Sequence, residues 1–589
     1  MKNFKQLALA MSLAAATSAS AYDFSTYSSP YESSDYREAL NMGLKFFGGQ
    51  RCGDTHNWML HDNKSISKKS CHTKDGQGSV NGGANGNYDL TGGWHDCGDH
   101  IKVGTTMGYA AVSLLVAYDL WPKAFQDNYD ENYGAKNGIP DVLDEAKIAT
   151  DYFMKCFLPG NQFCYYVGCP GDHNVWMTSS RQSMQSVENG GDPRPVWTAS
   201  DMGGPQAANY ISALCLMSMH YPDNEYKLKC REAAIAAYPF AKANKSQHAP
   251  IPQFYSNPNT EWTDELSLAA ILLYKLTGEE SYLNDAKQYM AGKWESNYPL
   301  AWDTMTDFVY YYFATIDPSL DNGGGKKYVE MLYGNIFKTD AAHIKTGENS
   351  SNGFPYYSSR WGTNKLALGG AVVCALYKKL VDDGVVTCSE SDLIKINNYV
   401  TRIVDYIMGN NEFNHTFLHG FKGDMTFRIH HRNAMGRNDN PPTYVKNECD
   451  YMFASGGVIG GPSGVGQFEN VIEGGASYTE TEGGCDYNAP FVAAIASIAA
   501  QVCPDLTSVD DVEAVSMNVY PSVFTDYIIV DPVVYGGSSD LDVRVINSLG
   551  QTVLVDKITS YSPVVLNTSA LVNGVYIVKV GDQSYKVVK

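Results

Sequence analysis

Between residues 36 and 503, apolar positions recur at three- and four-residue spacing through most of the chain. That period marks helices that bury one face. It predicts helices over 36–47, 106–120, 140–156, 204–219, 228–243, 264–276, 280–292, 326–337, 364–380, 390–408 and 487–502. Gly-, Pro- and Asn-rich loops separate them, so neighbouring helices are expected in antiparallel pairs. The fold class is mainly α, and about a dozen helices in one large domain is compatible with an (α/α)6 barrel.

The pattern changes at residues 504–515, where Pro504 and the acidic run Asp510-Asp511-Val512-Glu513 end the helical period. Beyond it come short β-type runs, at 527–530, 541–546, 553–555, 564–566 and 575–580. Turn residues such as Asn547-Ser548-Leu549-Gly550 and Asn573-Gly574 separate these runs, which suits a small C-terminal β-sandwich. At the other end, Lys2 and Lys5 precede an apolar run from Leu7 to Ala16 and the small-residue site Ala19-Ser20-Ala21. This is a signal-peptide pattern. The expected organisation is a signal peptide at 1–21, a catalytic domain at 22–505, a linker at 506–515 and a β-sandwich at 516–589. No other stretch reads as a membrane span, and the apolar run of the leader is too short for one.

Composition narrows the partners. A net charge of −20 argues against nucleic acid and anionic membrane surfaces. The 41 tyrosines supply flat faces with a polar tip, which suit sugar rings as well as cores. Thirteen cysteines in an exported chain is an odd number, so at least one is unpaired or bound to metal. Cys164 and Cys169 are near enough in sequence to form a small disulfide loop.

The densest chemistry lies at residues 91–102, Thr-Gly-Gly-Trp-His-Asp-Cys-Gly-Asp-His-Ile-Lys. Asp96 and Asp99 stand three apart among glycines, which permit tight turns and close approach to a ligand. Two acids on one turn repel unless a donor, cation or water lies between them, which suits a site that deprotonates water. The competing reading makes Asp99 the N-cap of a helix beginning at Ile101.

The segment resembles the Gly-Gly-Trp-Tyr-Asp-Ala-Gly-Asp-His motif of glycoside hydrolase family 9, a family rich in cellulases. The resemblance implies an (α/α)6 catalytic domain with Asp99 as general base and Asp96 helping to position the water. A second stretch, Tyr478-Thr479-Glu480-Thr481-Glu482-Gly483-Gly484-Cys485-Asp486-Tyr487-Asn488-Ala489, resembles the family's Asn-Glu-Val-Ala-x-Asp-Tyr-Asn-Ala signature. Its register puts Glu482, not Glu480, on the general acid; Thr481, Gly483 and Gly484 depart from the pattern. A third, from Thr416 to His430-His431-Arg432, is similar to the signature ending Pro-His-x-Arg, and implies that His430 and Arg432 grip the sugar at the bond being cut. His173 and Trp176 look like a family His-x-x-Trp, Trp361 like its Trp-Gly stacking position, and Tyr487 lies beside the acid. The C-terminal segment, with Val519-Tyr520-Pro521 and Asn573-Gly574-Val575-Tyr576, resembles type IX secretion sorting domains, which implies secretion machinery as a partner; a carbohydrate-binding or spacer module is the alternative.

Cys52, Cys71, His72 and His95 make a Cys2His2 set without an open position, a structural zinc pattern. The alternative is a Cys52–Cys71 disulfide with two unrelated histidines. The zinc-carrying subgroup of family 9 resembles this chain at all four positions. The zinc would pin the catalytic loop and take no part in the chemistry. Calcium, bound by many members, is less well supported: residues 199–206 lack the expected Glu, although Asp264 matches one ligand.

The expected protein is a secreted, inverting endo-β-1,4-glucanase that hydrolyses cellulose or a related β-glucan without a catalytic cofactor. The alternatives are a non-catalytic surface carbohydrate-binding protein, or an enzyme that releases cellobiose or acts on xyloglucan or mixed-linkage glucan. Residues 54–90 and 160–200 are long enough to open or block the ends of a cleft.

Overall fold

The computed structural model describes residues 21–54, 70–129, 135–245, 248–251, 254–255, 263–292, 298–316, 325–357, 361–439, 442–445, 448–449, 454–468, 478–503, 516–534, 541–558, 564–581 and 583–589. The leader and the linker expected at 506–515 lie outside the described residues, apart from Ala21.

Six helices form a closed inner ring: α2 (Gly104–Leu120), α5 (Gly204–His220), α7 (Thr263–Thr277), α9 (Thr306–Ile316), α12 (Thr363–Asp382) and α15 (Cys485–Val502). Each touches the next, and α15 returns to α2. An outer helix packs on each: α3 (Asp141–Lys155) on α2, α6 (Asn224–Ala243) on α5, α8 (Glu280–Tyr289) on α7, α10 (Gly325–Tyr333) on α9, α13 (Glu390–Met408) on α12 and α1 (Ser33–Gln50) on α15. This is the (α/α)6 barrel. The sequences divide accordingly. In α2, Gly-Thr-Thr-Met-Gly-Tyr-Ala-Ala-Val-Ser-Leu-Leu-Val-Ala is buried on every side. In α13, one apolar stripe from Ile396 to Met408 is buried and the other face is polar, as an outer helix requires. Short helices α4 (Ser179–Gln182), α11 (His343–Glu348) and α14 (Tyr478–Thr481) lie in the loops.

Eleven of the twelve barrel helices coincide with expected segments. The twelfth, α9, was not expected. Its sequence Thr-Asp-Phe-Val-Tyr-Tyr-Tyr-Phe-Ala-Thr-Ile is rich in residues that favour strands. Burial between neighbouring helices overrides that preference, and Asp264 on α7 fixes its start by accepting from the Met305 N–H at 2.6 Å.

Small ladders brace the loops: β1 (Gly53–Asp54) with β2 (Ser70–Cys71), and β3 (Lys102–Val103) and β4 (Phe157–Leu158) on either side of β5 (Gln162–Val167), which also pairs β6 (Val196–Ala199). Ile101–Val103 therefore leads into the barrel as extended chain, and Asp99 is not the cap of α2, whose N-cap is Val103. The Cys164–Cys169 loop is not formed. Cys164 lies within an extended strand and its thiol faces the Tyr166 carbonyl, whereas the Cys169 thiol faces that of Val187. The two thiols point at different partners and no bond joins them. All thirteen cysteines are free thiols.

The C-terminal strands form two antiparallel sheets, β11-β8-β7 and β10-β9-β12-β13. Here β7 is Ser516–Tyr520, β8 Tyr527–Val534, β9 Leu541–Asn547, β10 Thr552–Ile558, β11 Val564–Asn567, β12 Val575–Val580 and β13 Gln583–Val588. Alternate residues such as Val543, Val545, Val578 and Val580 face a shared core with Ile528 and Val530. The strands β7 and β13 lie outside the expected runs. Among the described residues, no helix is long and apolar enough to cross a membrane.

Candidate active site

The three motif segments meet where α2 and α15 begin. Asp96 and Asp99 lie on the turn just before β3 and α2, and Glu482 lies just before α15. Backbone hydrogen bonds stitch the segments together. Cys485 N–H donates to the Asp96 carbonyl at 3.0 Å, Arg432 N–H to Gly98 at 2.9 Å, and His430 N–H to Thr481 at 2.8 Å. Only glycine fits at 98, because a Cβ there would lie 2.2 Å from the His430 carbonyl oxygen.

Asp96 and Asp99 are buried, with 4% of each exposed. Asp96 is crowded with donors: Thr106 hydroxyl at Oδ1, Tyr255 hydroxyl at 2.7 Å and the Cys97 thiol at 3.4 Å, both at Oδ2. Burial, then the nearby Asp99 and Asp486 charges, push the Asp96 carboxyl up to about 7. Asp99 is differently placed. His173 Nε2 lies 3.2 Å from its Oδ2, while its Oδ1 is buried with no hydrogen-bond partner among the described residues.

Glu482 is partly exposed. Trp361 Nε1 donates to its Oε2 at 2.7 Å. Burial, then the charges of Asp99 and Asp96, push Glu482 up to about 8, so it holds its proton at neutral pH. Lys365 balances the acidic group by pairing with the buried Asp486 at 2.6 Å, its ammonium 4.4 Å from the Tyr487 ring centre.

His430 lies between Trp176 and Tyr478, with ring centres 4.8 and 4.7 Å away. Burial and then Arg432 hold it neutral, down to about 3. Arg432 directs its guanidinium at the separate 173–176 loop: Nε donates to the Val175 carbonyl at 3.0 Å, Nη2 to the His173 carbonyl at 3.4 Å, and the group lies over Trp176. It thus shapes the cleft wall carrying His173 and Trp176. Trp361 is 51% exposed and free to stack, whereas Tyr487 is 1% exposed with its ring against Gly362. Tyr255, Thr106 and Lys365 were not singled out in the sequence. Tyr255 is 159 residues from Asp96, and no local pattern marks it.

Behind the catalytic turn, the ligand atoms of Cys52, Cys71 and His95 all lie within 4.8 Å of one another, and all three residues are buried. The β1–β2 ladder sets Gly53 opposite Cys71, and His95 N–H donates to Gln50 at 2.7 Å, which draws the strands and the catalytic turn together. The His72 ring centre is 5.8 Å from that of His95, nearly perpendicular. Its Nε2 is buried and has no partner among the described residues. Two thiols and two imidazoles are the donor set of a tetrahedral S2N2 metal ion; His72 stands beside the three-residue group rather than within its 4.8 Å span. Arg194 Nη2 donates to Cys52 Sγ at 3.5 Å.

The glycosyl hydrolase family 9 profile matches residues 36–495, more than three quarters of the chain. The chain belongs to glycosyl hydrolase family 9. It is therefore a glycoside hydrolase. A secretion system C-terminal sorting domain profile matches residues 518–589, so this family 9 enzyme carries an export module. Endoglucanase A of Bacillus pumilus is 25% identical over 480 residues, covering 79% of this chain and 66% of its own length. Endoglucanase A of Fibrobacter succinogenes is 32% identical over 264 residues, covering 42% and 55%. The chain thus spans about two thirds or less of those two relatives. The cellulase Cel9M of C. cellulolyticum superposes with a TM-score of 0.61 at 27% identity, covering 79% of this chain and 98% of that one.

Proposed function

We propose that the chain is a secreted, inverting endo-β-1,4-glucanase acting on cellulose or a related β-glucan. The observation that carries this reading is the meeting of Asp96, Asp99 and Glu482 where α2 and α15 begin. Asp99 Oδ1 is buried without a hydrogen-bond partner among the described residues, which leaves it for a water, while burial and the neighbouring acids push Glu482 up to about 8. In the proposed reaction a water bound at Asp99 Oδ1 attacks the anomeric carbon and gives its proton to Asp99. Asp96, held by Thr106, Tyr255 and Cys97, orients that water. Glu482 donates its proton to the leaving oxygen as the glycosidic C–O bond breaks. Solvent then returns a proton to Glu482 and takes one from Asp99. An inverting pair is expected at about 6.5–9.5 Å, with room for the water.

The neutral His430 offers a ring nitrogen to a sugar hydroxyl, and Trp361 and Trp176 offer faces for stacking. Arg432 braces the loop of His173 and Trp176 through Nε and Nη2, and with His430 it contacts the sugar in this reading. The endoglucanase and cellulase names of the relatives support a β-1,4-glucan as substrate. Cys52, Cys71, His95 and His72 would hold a structural zinc, which would supply only a cross-link between the β1–β2 ladder and the catalytic turn. Calcium is a weaker proposal, because Asp264 already accepts from Met305 N–H and the Thr306 hydroxyl.

Proton NMR of the anomeric region during hydrolysis of a soluble cello-oligosaccharide tests the reading. Initial α-product supports inversion by Asp99 and Glu482. Initial β-product overturns that pairing, and no product on cello-oligosaccharides moves the assignment to another β-glucan.

A further inference from the structure

We infer that Asp192 is the outer carboxylate that fixes His72 as the fourth ligand of the Cys52–Cys71–His95 cluster. The inference rests on the zinc reading and goes beyond it, since nothing in the spacing of the cysteines and histidines points to residue 192.

The His72 side chain is fully buried, and its two nitrogens have opposite surroundings. Nδ1 lies 3.3 Å from Asp192 Oδ1, and Nε2 has no partner among the described residues. A neutral imidazole carries one N–H and one lone pair. The carboxylate accepts only from an N–H, so it selects the tautomer protonated at Nδ1 and leaves the Nε2 lone pair for a cation. Metal-binding histidines commonly donate their other N–H to a carboxylate in this way. The backbone at His72 is also left-handed, with φ of +50°, a conformation that costs energy and needs surrounding structure to hold it.

The competing acid is engaged elsewhere. Asp75, the other acid near His72, already takes Arg194 at 2.7 and 2.9 Å and Lys102 at 2.7 Å. A separate His72–Asp75–Asp192 metal site would have to break that buried pairing. Asp192 itself is held in place by its own N–H, which donates to the Ser183 carbonyl at 3.0 Å. Two residues on, Arg194 donates to Cys52 Sγ at 3.5 Å. One short segment therefore reaches the cluster at two ligands: at His72 through a carboxylate, and at Cys52 through a cation.

The test uses the purified full-length protein. Zinc content per chain is measured first, then the rate of zinc release to a chromogenic chelator, for the parent and for Asp192→Asn. The expected result is one zinc per parent chain and about 10- to 100-fold weaker retention in the variant. Release at the parent rate overturns the inference. If Asp192→Asn folds poorly, long-range proton–nitrogen NMR of the zinc-loaded parent keeps the test decisive: His72 protonated at Nδ1 is expected, and a ring carrying its proton at Nε2 overturns the inference. After cobalt substitution, His72→Ala is expected to change the visible bands of a tetrahedral S2N2 cobalt site, and unchanged bands show that His72 is not a ligand and also overturn the inference. A parent protein without metal overturns the zinc reading itself and this inference with it, whereas a parent with zinc and an unaffected Asp192→Asn overturns only the inference.

Discussion

Trp361 donates its indole N–H to Glu482 Oε2 at 2.7 Å, although half of the tryptophan surface is open to solvent. The side chain best placed to stack on a sugar therefore also touches the group proposed to protonate the leaving oxygen. Its N–H stabilises the carboxylate form and so restrains the upward shift of the acid. Trp361→Phe keeps an aromatic face and removes the donor. The alkaline limb of kcat/KM is expected to move to higher pH in that variant, with KM changed less than in Trp361→Ala. An alkaline limb unmoved in both variants would show that the contact has no bearing on the acid.

Glu482→Gln and Asp99→Asn are each expected to lower kcat on cello-oligosaccharides by about 10²- to 10⁴-fold. An aryl cellobioside with an activated leaving group separates the roles. It needs no protonation of the leaving oxygen, so Glu482→Gln is expected to recover activity on it and Asp99→Asn is not. Equal recovery in both variants would contradict the assignment.

Stability carries the same signature. Glu482 is raised from 4.5 to about 8 in the folded protein. A group raised on folding favours the folded state fully below its unfolded value, and that contribution is lost as pH climbs from about 4.5 through 8. Glu482→Gln removes the proton from consideration. Its Tm is expected to exceed that of the parent at pH 8 and to match it at pH 4, by roughly 2–4 °C per kcal/mol recovered. A gain at pH 4 equal to that at pH 8 would point to packing rather than charge.

Tyr255→Phe removes one donor from Asp96 Oδ2. Losing it raises the Asp96 carboxyl further above its present position near 7. The acid limb of kcat/KM is expected to move to higher pH, with a loss of several-fold below pH 6 that shrinks as pH rises. A uniform loss at all pH values would assign Tyr255 to substrate binding instead.

Gly98→Ala tests the seam between the motifs. The added methyl would lie against the His430 carbonyl and force apart the strip that Arg432 N–H ties to Gly98. Activity is expected to fall by at least 10²-fold and Tm to drop, although no functional side chain is removed. Parent-like thermal melting and turnover would mean that the seam yields freely.

Much of this was legible in the chain. The helices follow from amphipathic period, and the inner ones from apolar runs such as that of α2. α9 was illegible because its tyrosines and phenylalanines take their conformation from the ring around them. The proposed catalytic carboxylates stood out because each sits in a contiguous motif. Tyr255, Lys365 and Asp192 did not, since each reaches the site only through folding, from 159, 117 and 120 positions away from Asp96, Glu482 and His72 respectively. Arg432 shows the opposite gap: its position was legible, but its hydrogen bonds run to the backbone of residues 173 and 175.

The ring closes where its first helix, α2, meets its last, α15, and the proposed base and acid flank that junction. The two halves of the chemistry are thus separated by almost the whole catalytic domain until the barrel shuts. A chain whose barrel has not closed keeps the proposed base apart from the proposed acid and is expected not to cut a polysaccharide. The junction acts as a built-in assembly check, in which hydrolytic competence appears only with the final closure of the fold.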